Sequence, residues 1–209
     1  MTELQPIIAI VDDDPATREG LSSLLRSAGW RTETFASGQE FLDHRWMDTP
    51  SCVLLDLELP GLTGLDLQKR MAEVNLEIPI VFITGHGNIP SSVQAIKLGA
   101  VEFLTKPVDE EQLLQAIVEA VQHDRSARER HAQAREIRQR YGSLTTREQE
   151  VMRQVISGLL NKQVAAELSI SEFTVKVHRG HVMRKMRADS LADLVRMAEQ
   201  LGIDHRVSR

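Results

Sequence analysis

The sequence predicts an α/β, doubly wound five-stranded parallel sheet in strand order 2-1-3-4-5, followed by an all-α four-helix unit. Three observations predict it. Short apolar runs alternate with helical patterns through the first 120 residues, and only helical patterns follow Ser143. The length, 209 residues, suits one large domain or two small ones. Charge divides the chain as well: residues 1–122 hold 8 Lys/Arg against 19 Asp/Glu, whereas residues 123–209 hold 17 against 11. An acidic half of net −11 joined to a basic half of net +6 points to two tasks, the basic one suited to a polyanion.

The strands come first. Segments 7–11 (IIAIV), 52–55 (CVLL), 80–83 (IVFI) and 102–104 are short aliphatic runs bounded by turn residues. Near-continuous apolar strands imply burial on both faces, as in parallel sheets. Segment 31–35 (RTETF) alternates and reads as a weaker strand. Helical patterns fill the gaps at 15–28, 37–46, 64–74, 90–98 and 109–122. In the first of them Leu21, Leu24, Leu25 and Ala28 fall at i, i+3, i+4 and i+7, a core-facing stripe.

The expected division is an α/β domain at 1–122, a linker at 123–142 and a helical domain at 143–209. Residues 123–140 (HDRSARERHAQAREIRQR) contain no Pro or Gly, and only Ile137 is strongly apolar. They read as a solvated helix continuing from the fifth helix and ended by Gly142, with a disordered linker as the competing reading. Beyond it, Thr145 to Glu148 forms a capping box opening a helix at 147–157, stopped by Gly158. A short helix at 161–168, a tight connection at 169–171, a longer helix at 172–186 and a fourth at 190–201 complete the domain.

Several classes are excluded. No apolar run approaches the roughly 20 residues needed to cross a bilayer. Residues 1–6 lack the basic start and apolar centre of a secretory signal. Cys52 is the single cysteine, so there is no intrachain disulfide framework and no multi-cysteine zinc site. The expectation is a cytoplasmic protein with no membrane partner.

Asp12, Asp13 and Asp14 follow the first strand, and Asp56 follows the third. In an open α/β sheet, ligands bind outside the carboxyl ends of the strands, at the switch in winding direction. Strands one and three are neighbours in the expected order, so these carboxylates converge. Several carboxylates in one pocket repel one another unless they are protonated or hold a cation. A hard divalent ion such as Mg²⁺ (or Mn²⁺) fits, because it binds through a few carboxylates and keeps waters for a phosphate. Thr84 ends the fourth strand and Lys106 follows the fifth, supplying a hydroxyl and an ammonium for phosphoryl oxygens. One aspartate after a strand is commonly a turn or cap residue. Four coordinated placements are not.

The motifs VDDD (11–14), LLDLELPGLTG (54–64), FITGHG (82–87) and FLTKP (103–107) occur in order at the spacing of a receiver domain. Residues 5–122 thereby resemble the receiver of two-component response regulators. The resemblance implies Asp56 as the phosphoacceptor, charged by a cognate sensor histidine kinase. It implies Mg²⁺ held by Asp13, Asp56 and the Glu58 backbone carbonyl, with Asp12 helping through water. Thr84 and Lys106 are expected at the phosphoryl group, and the Lys106–Pro107 bond is expected cis. Thr84 moving toward the phosphate while Phe103 turns inward would be the switch; Phe103 reads equally well as a plain core aromatic. Val108 departs from the pattern, since relatives usually carry an aromatic after Lys-Pro. Asp14 reads as a helix cap ahead of Pro15.

A short helix, a tight turn and a longer basic helix describe a helix-turn-helix whose second helix enters the major groove of double-stranded DNA. Ser171 is a good N-cap, and residues 172–187 hold Lys176, Arg179, Arg184, Lys185 and Arg187 against one acid, Glu172. Val175, His178, Val182 and Met186 form a core-facing stripe. The stretches LTTREQEV (144–151), GLLNKQVAAELSIS (158–171) and TVKVHRGHVMRKM (174–186) resemble the LuxR-type domain of FixJ/NarL regulators. That resemblance implies Lys176, Val177 and Arg179 facing promoter DNA, with Lys162 and Thr174 at phosphates. Arg184, Lys185 and Arg187 are expected to add backbone contacts. Gly180 departs from relatives that place a base-reading Lys there. His178 and His181 lack a third ligand in the sequence and read as core or surface histidines.

The whole therefore reads as a transcription regulator, with activation the family expectation and RNA polymerase a candidate partner. It is no enzyme beyond Mg-dependent phosphoryl transfer to its own Asp56. In relatives the receiver either masks the DNA-binding domain or dimerises it; the long polar linker motivates the second, so a homodimer on phosphorylation is expected, through the last helix or through the receiver. Two rivals remain. Asp12-x-Asp14 followed by Thr17 loosely resembles the DxDxT pattern of haloacid-dehalogenase phosphatases, although Pro15-Ala16 disrupts its spacing. The other is a phosphorylation-independent DNA binder with a structural receiver.

Overall fold

A computed structural model of the chain describes residues 5–46, 49–85 and 89–203. Residues 86–87 of the FITGHG motif, residues 1–4 and the last six residues of the 143–209 span lie outside the described residues. The chain forms two compact units, Met1–Ala127 and Arg128–Arg209.

The first unit alternates strands and helices: β1 (Ile7–Val11), α1 (Pro15–Ser27), β2 (Arg31–Phe35), α2 (Gly38–Asp43), β3 (Cys52–Asp56), α3 (Gly64–Glu73), β4 (Ile80–Thr84), α4 (Ile89–Lys97), β5 (Glu102–Thr105) and the start of α5 (Glu110–Gly142). All strands are parallel, in the predicted order β2-β1-β3-β4-β5. The central strands are buried at every position, as their unbroken apolar sequence requires. Edge strand β2 is exposed at Arg31 and Thr34 and buried only at Phe35, so its polar sequence suits the sheet edge.

Side-chain alternation splits the apolar residues into two layers. Ile8, Ile10, Leu54, Val81 and Ile83 pack with Leu25 of α1 and with Leu113 and Ile117 of α5. Val108, where an aromatic is usual, packs against this layer. Ala9, Val11, Val53, Leu55 and Phe82 pack on the other side with Phe41, Leu67, Met71 and Ala95 of α2, α3 and α4. Helices on both faces leave the carboxyl edge of the sheet as the place where functional groups collect.

Helix α5 runs unbroken from Glu110 to Gly142, so the polar stretch after residue 122 is helical. Its last turns belong to the second unit, where Ile137 enters the core and Tyr141 packs against it. There α6 (Thr146–Ile156), α7 (Asn161–Glu167), α8 (Glu172–Met186) and α9 (Leu191–Gln200) surround Val151, Met152, Val155, Val164, Val175 and Val182. The capping box opening α6 is formed in full. Ser171 caps α8 by accepting from the Thr174 N–H at 3.1 Å. Among the described residues no helix is long and apolar enough to cross a membrane.

Candidate functional site

The parallel register brings four strand ends to one rim. Asp12 follows β1, Asp56 and Thr84 are the last residues of β3 and β4, and Lys106 follows β5. Asp56 pairs with Ile83 and Thr84 with Thr105, so two strands extend one residue beyond their apolar runs and carry the functional group within the ladder. Asp12 and Asp56 are only 2% and 7% exposed, and Thr84 is fully buried, while Asp13 is open to solvent.

The Lys106 ammonium donates to Asp12 Oδ2 at 2.7 Å and to Asp56 Oδ2 at 2.8 Å. Backbone groups fix the two acids: Asp12 Oδ1 accepts from the Asp14 N–H at 2.9 Å, and Asp56 Oδ1 from the Glu58 N–H at 3.0 Å. Burial pushes the Asp12 carboxyl above its ordinary value, aided by the Asp56 charge, against the opposing pull of Lys106. Burial alone would lower the Lys106 ammonium, but its bonds to Asp12 and Asp56 outweigh that and raise it. This is a crowded anionic pocket with one built-in cation.

Ligand oxygens of Asp12, Asp13 and Asp56 lie within 4.8 Å of one another. Three hard oxygen donors, two of them buried, match the donor chemistry of Mg²⁺, and the residues fit that ion. The Lys106–Pro107 bond is cis. Phe103 is half-buried at the edge of the apolar layer, its ring 6.2 Å from that of Phe82.

Asp14 contributes its backbone N–H to the pocket and turns its side chain elsewhere. Its carboxylate caps α1, accepting from the Ala16 N–H at 3.3 Å, the Thr17 N–H at 3.0 Å and the Thr17 hydroxyl at 2.6 Å. The second acid of the dehalogenase-type pattern is thus engaged in helix capping.

Gly64 was not singled out for the site from the sequence. A Cβ there would lie 2.4 Å from the Asp56 backbone oxygen and 3.0 Å from Leu57 Cα, so only glycine lets α3 begin this close to Asp56. Its place at the end of LLDLELPGLTG was visible, but the close approach was not. Arg18 was missed too, and no sequence signal marks it: its guanidinium donates to the Asp12 carbonyl at 2.6 Å.

In the second unit α8 turns Val175, Val182 and Met186 inward and leaves Lys176 and Val177 exposed. Lys162, Arg184 and Arg187 are exposed as well, and Thr174 is half-buried beside its cap. Arg179 donates to Asn161 Oδ1 at 3.1 Å, which steadies it across the helix-turn-helix. Arg187 ends α8 in the left-handed region at φ 54°, with Glu136 3.7 Å away. Lys185 differs from the others. Its ammonium is bound to Glu148 Oε2 at 2.6 Å and to the Ser143 carbonyl at 3.3 Å, while its side chain stays partly exposed.

The structure does supply a third donor beside the two histidines. One ligand atom each from Glu148, His178 and His181 lies within 4.8 Å of the others, with His181 Nδ1 3.4 Å from Glu148 Oε1. The Lys185 ammonium already neutralises that carboxylate and opposes a second cation.

The comparisons agree with this geometry. The family described as "Response regulator receiver domain" matches residues 8–118, and that described as "Bacterial regulatory proteins, luxR family" matches residues 142–198. The chain is 51% identical to "Nodulation protein W" of Bradyrhizobium diazoefficiens over 94% of its length and 87% of that protein. It is 43% identical to "Transcriptional regulatory protein FixJ" of the same organism, covering 94% and 96% of the two chains. The solved structure of the response regulator StyR superposes with a TM-score of 0.83 at 46% identity, covering 94% of this chain and all of that one. The chain belongs to the FixJ/NarL family of two-component response regulators, joining a receiver domain to a LuxR-type DNA-binding domain.

Proposed function

We propose that a sensor histidine kinase phosphorylates this regulator on Asp56 and that the phosphorylated chain binds promoter DNA through α8 to activate transcription. The observation that carries the first half is the Lys106 ammonium shared by Asp12 and Asp56, with carboxylate oxygens of Asp12, Asp13 and Asp56 within 4.8 Å of one another. A carboxylate oxygen of Asp56 attacks the phosphorus of the kinase's phosphohistidine. The new O–P bond forms as the N–P bond breaks, and the imidazole leaves with the electron pair. Lys106 offers N–H donors to the phosphoryl oxygens, and Thr84 offers its hydroxyl. Asp13, Asp56 and the Glu58 carbonyl would hold Mg²⁺, with Asp12 assisting. The ion supplies charge neutralisation at the acceptor. Phosphoryl transfer to its own aspartate is the chain's one chemical act.

The new dianion biases a bistable packing element, in which Thr84 is drawn toward the phosphate and Phe103 turns inward. Its half-buried ring at the edge of the core supports that role. Dimerisation follows, and the exposed apolar side chains of Val93, Ile96 and Leu98 at α4 support it. On DNA, Lys176, Val177 and Arg179 face the bases, Lys162 and Thr174 the phosphates, and Arg184 and Arg187 the flanking backbone. RNA polymerase is the partner of the bound dimer, and the protein works in the cytoplasm.

Acetyl phosphate labelling tests the acceptor. The wild-type chain takes up one phosphoryl group in the presence of Mg²⁺ and none in excess EDTA, and Asp56→Asn takes up none. Undiminished labelling of Asp56→Asn overturns the assignment.

A further inference from the structure

Helix α8 leaves a large aromatic side chain in solvent near its N-terminus. Phe173 is 75% exposed, and it belongs to none of the apolar clusters among the described residues. It is not isolated on the helix surface. Lys176, Val177 and Gly180 follow it at spacings of three, four and seven, which form one face of a helix. All four are exposed, opposite the buried Val175, Val182 and Met186.

Two features of this stripe identify what covers the phenyl ring. The first is charge. Lys176 lies one turn along, and Lys162 on the neighbouring α7 is also exposed. An apolar protein surface seated on Phe173 would strand the Lys176 ammonium beside it, whereas a duplex satisfies cation and ring together, offering base-edge acceptors to one and an apolar base substituent to the other. The second is position. Recognition helices present their N-terminal residues to base edges in the major groove. There the one apolar substituent is the thymine C5-methyl, and phenylalanine is among the side chains that contact it. The far end of the stripe is bare, because nothing lies within 4 Å of a Cβ built on Gly180. Side-chain readout is therefore concentrated in the first two turns, where Phe173 sits.

We propose that Phe173 is a specificity-determining residue that reads a thymine C5-methyl group in the major groove of the operator. The inference rests on the reading of α8 as the DNA-recognition helix and adds to it a base preference. Val177, 39% exposed and one turn further on, extends the same apolar contact along the groove.

The test removes one methyl at a time. The full chain, phosphorylated with acetyl phosphate and Mg²⁺, is titrated at fixed salt against the promoter fragment it protects. Each protected thymine is replaced in turn by deoxyuridine. At one thymine per half-site the wild type loses about fourfold in affinity, the worth of one buried methyl. Phe173→Ala binds the unmodified operator more weakly and is indifferent to the replacement at that position. Phe173→Leu keeps part of the sensitivity. The ring is exposed, so the variants fold, and unchanged hydrogen exchange in α6 and α8 checks it. A Phe173→Ala chain as sensitive to deoxyuridine as the wild type overturns the inference, and so does a wild type indifferent at every thymine. Lys176→Ala serves as the reference. If it weakens binding while Phe173→Ala does not, the methyl contact alone is wrong; if neither weakens binding, the assignment of α8 to DNA fails with it.

Discussion

At the scale of single residues, the pocket around Asp12 and Asp56 is a problem of crowding resolved by one lysine and one glycine. Lys106 bridges Asp12 and Asp56 and offsets part of the repulsion among three neighbouring carboxylates. Gly64 does the steric work, because any Cβ there meets the backbone of Asp56 and Leu57, which no rotamer change can relieve. Gly64→Ala is therefore expected to cost about 1–3 kcal/mol of stability, as overpacking does. It is also expected to slow acetyl phosphate labelling of Asp56 by about 100-fold, since a displacement near 1 Å at a reacting group has that effect. Thermal unfolding and initial labelling rates measure the two losses. A variant that labels at the wild-type rate would show that α3 is free to retreat from the acceptor.

Among the elements, the bond between α6 and α8 carries a pH dependence of definite sign. Burial by itself would raise the Glu148 carboxyl, but the Lys185 ammonium and the capping bond from the Thr145 N–H bring it from 4.5 down to about 2. Lys185 and His181 are the charged or titratable groups within ion-pair distance of it. A carboxylate depressed by folding contributes stability that is complete above its unfolded value near 4.5 and is lost as pH falls toward about 2. The contribution is on the order of 3 kcal/mol. Glu148→Gln is expected to speed amide exchange in α6 and α8 above pH 4.5, with the gap from wild type narrowing as pH falls through that window. A constant gap across the window would assign the loss to packing instead.

The same bond marks the limit of what the sequence disclosed. Strands and helices were legible because burial on two faces or one imposes a period on the apolar residues. The inclusion of Asp56 and Thr105 in their strands was not, because a polar strand end is held by ladder register with its neighbour. Lys185 stood in a basic run and looked like its neighbours; its partner Glu148 is 37 positions away, and only tertiary packing joins them. Asn161, which steadies Arg179 from 18 positions away, is hidden for the same reason. The acceptor residues were readable because strand ends of a parallel sheet converge by topology alone, whichever side chains they carry.

For the molecule as a whole, the acidic first half and the basic second half divide one task between them. On the proposed function the net −11 half would gather a cation and a phosphoryl group, and the net +6 half would meet the phosphates of DNA. Titration of a protected promoter fragment at fixed salt, with and without acetyl phosphate and Mg²⁺, tests most directly whether the first event governs the second. Phosphorylation is expected to tighten binding by the wild-type chain at least tenfold, within the range of allosteric coupling, and to leave Asp56→Asn unmoved. Equal binding by the wild-type chain in both conditions, or tightening of Asp56→Asn, would contradict the account.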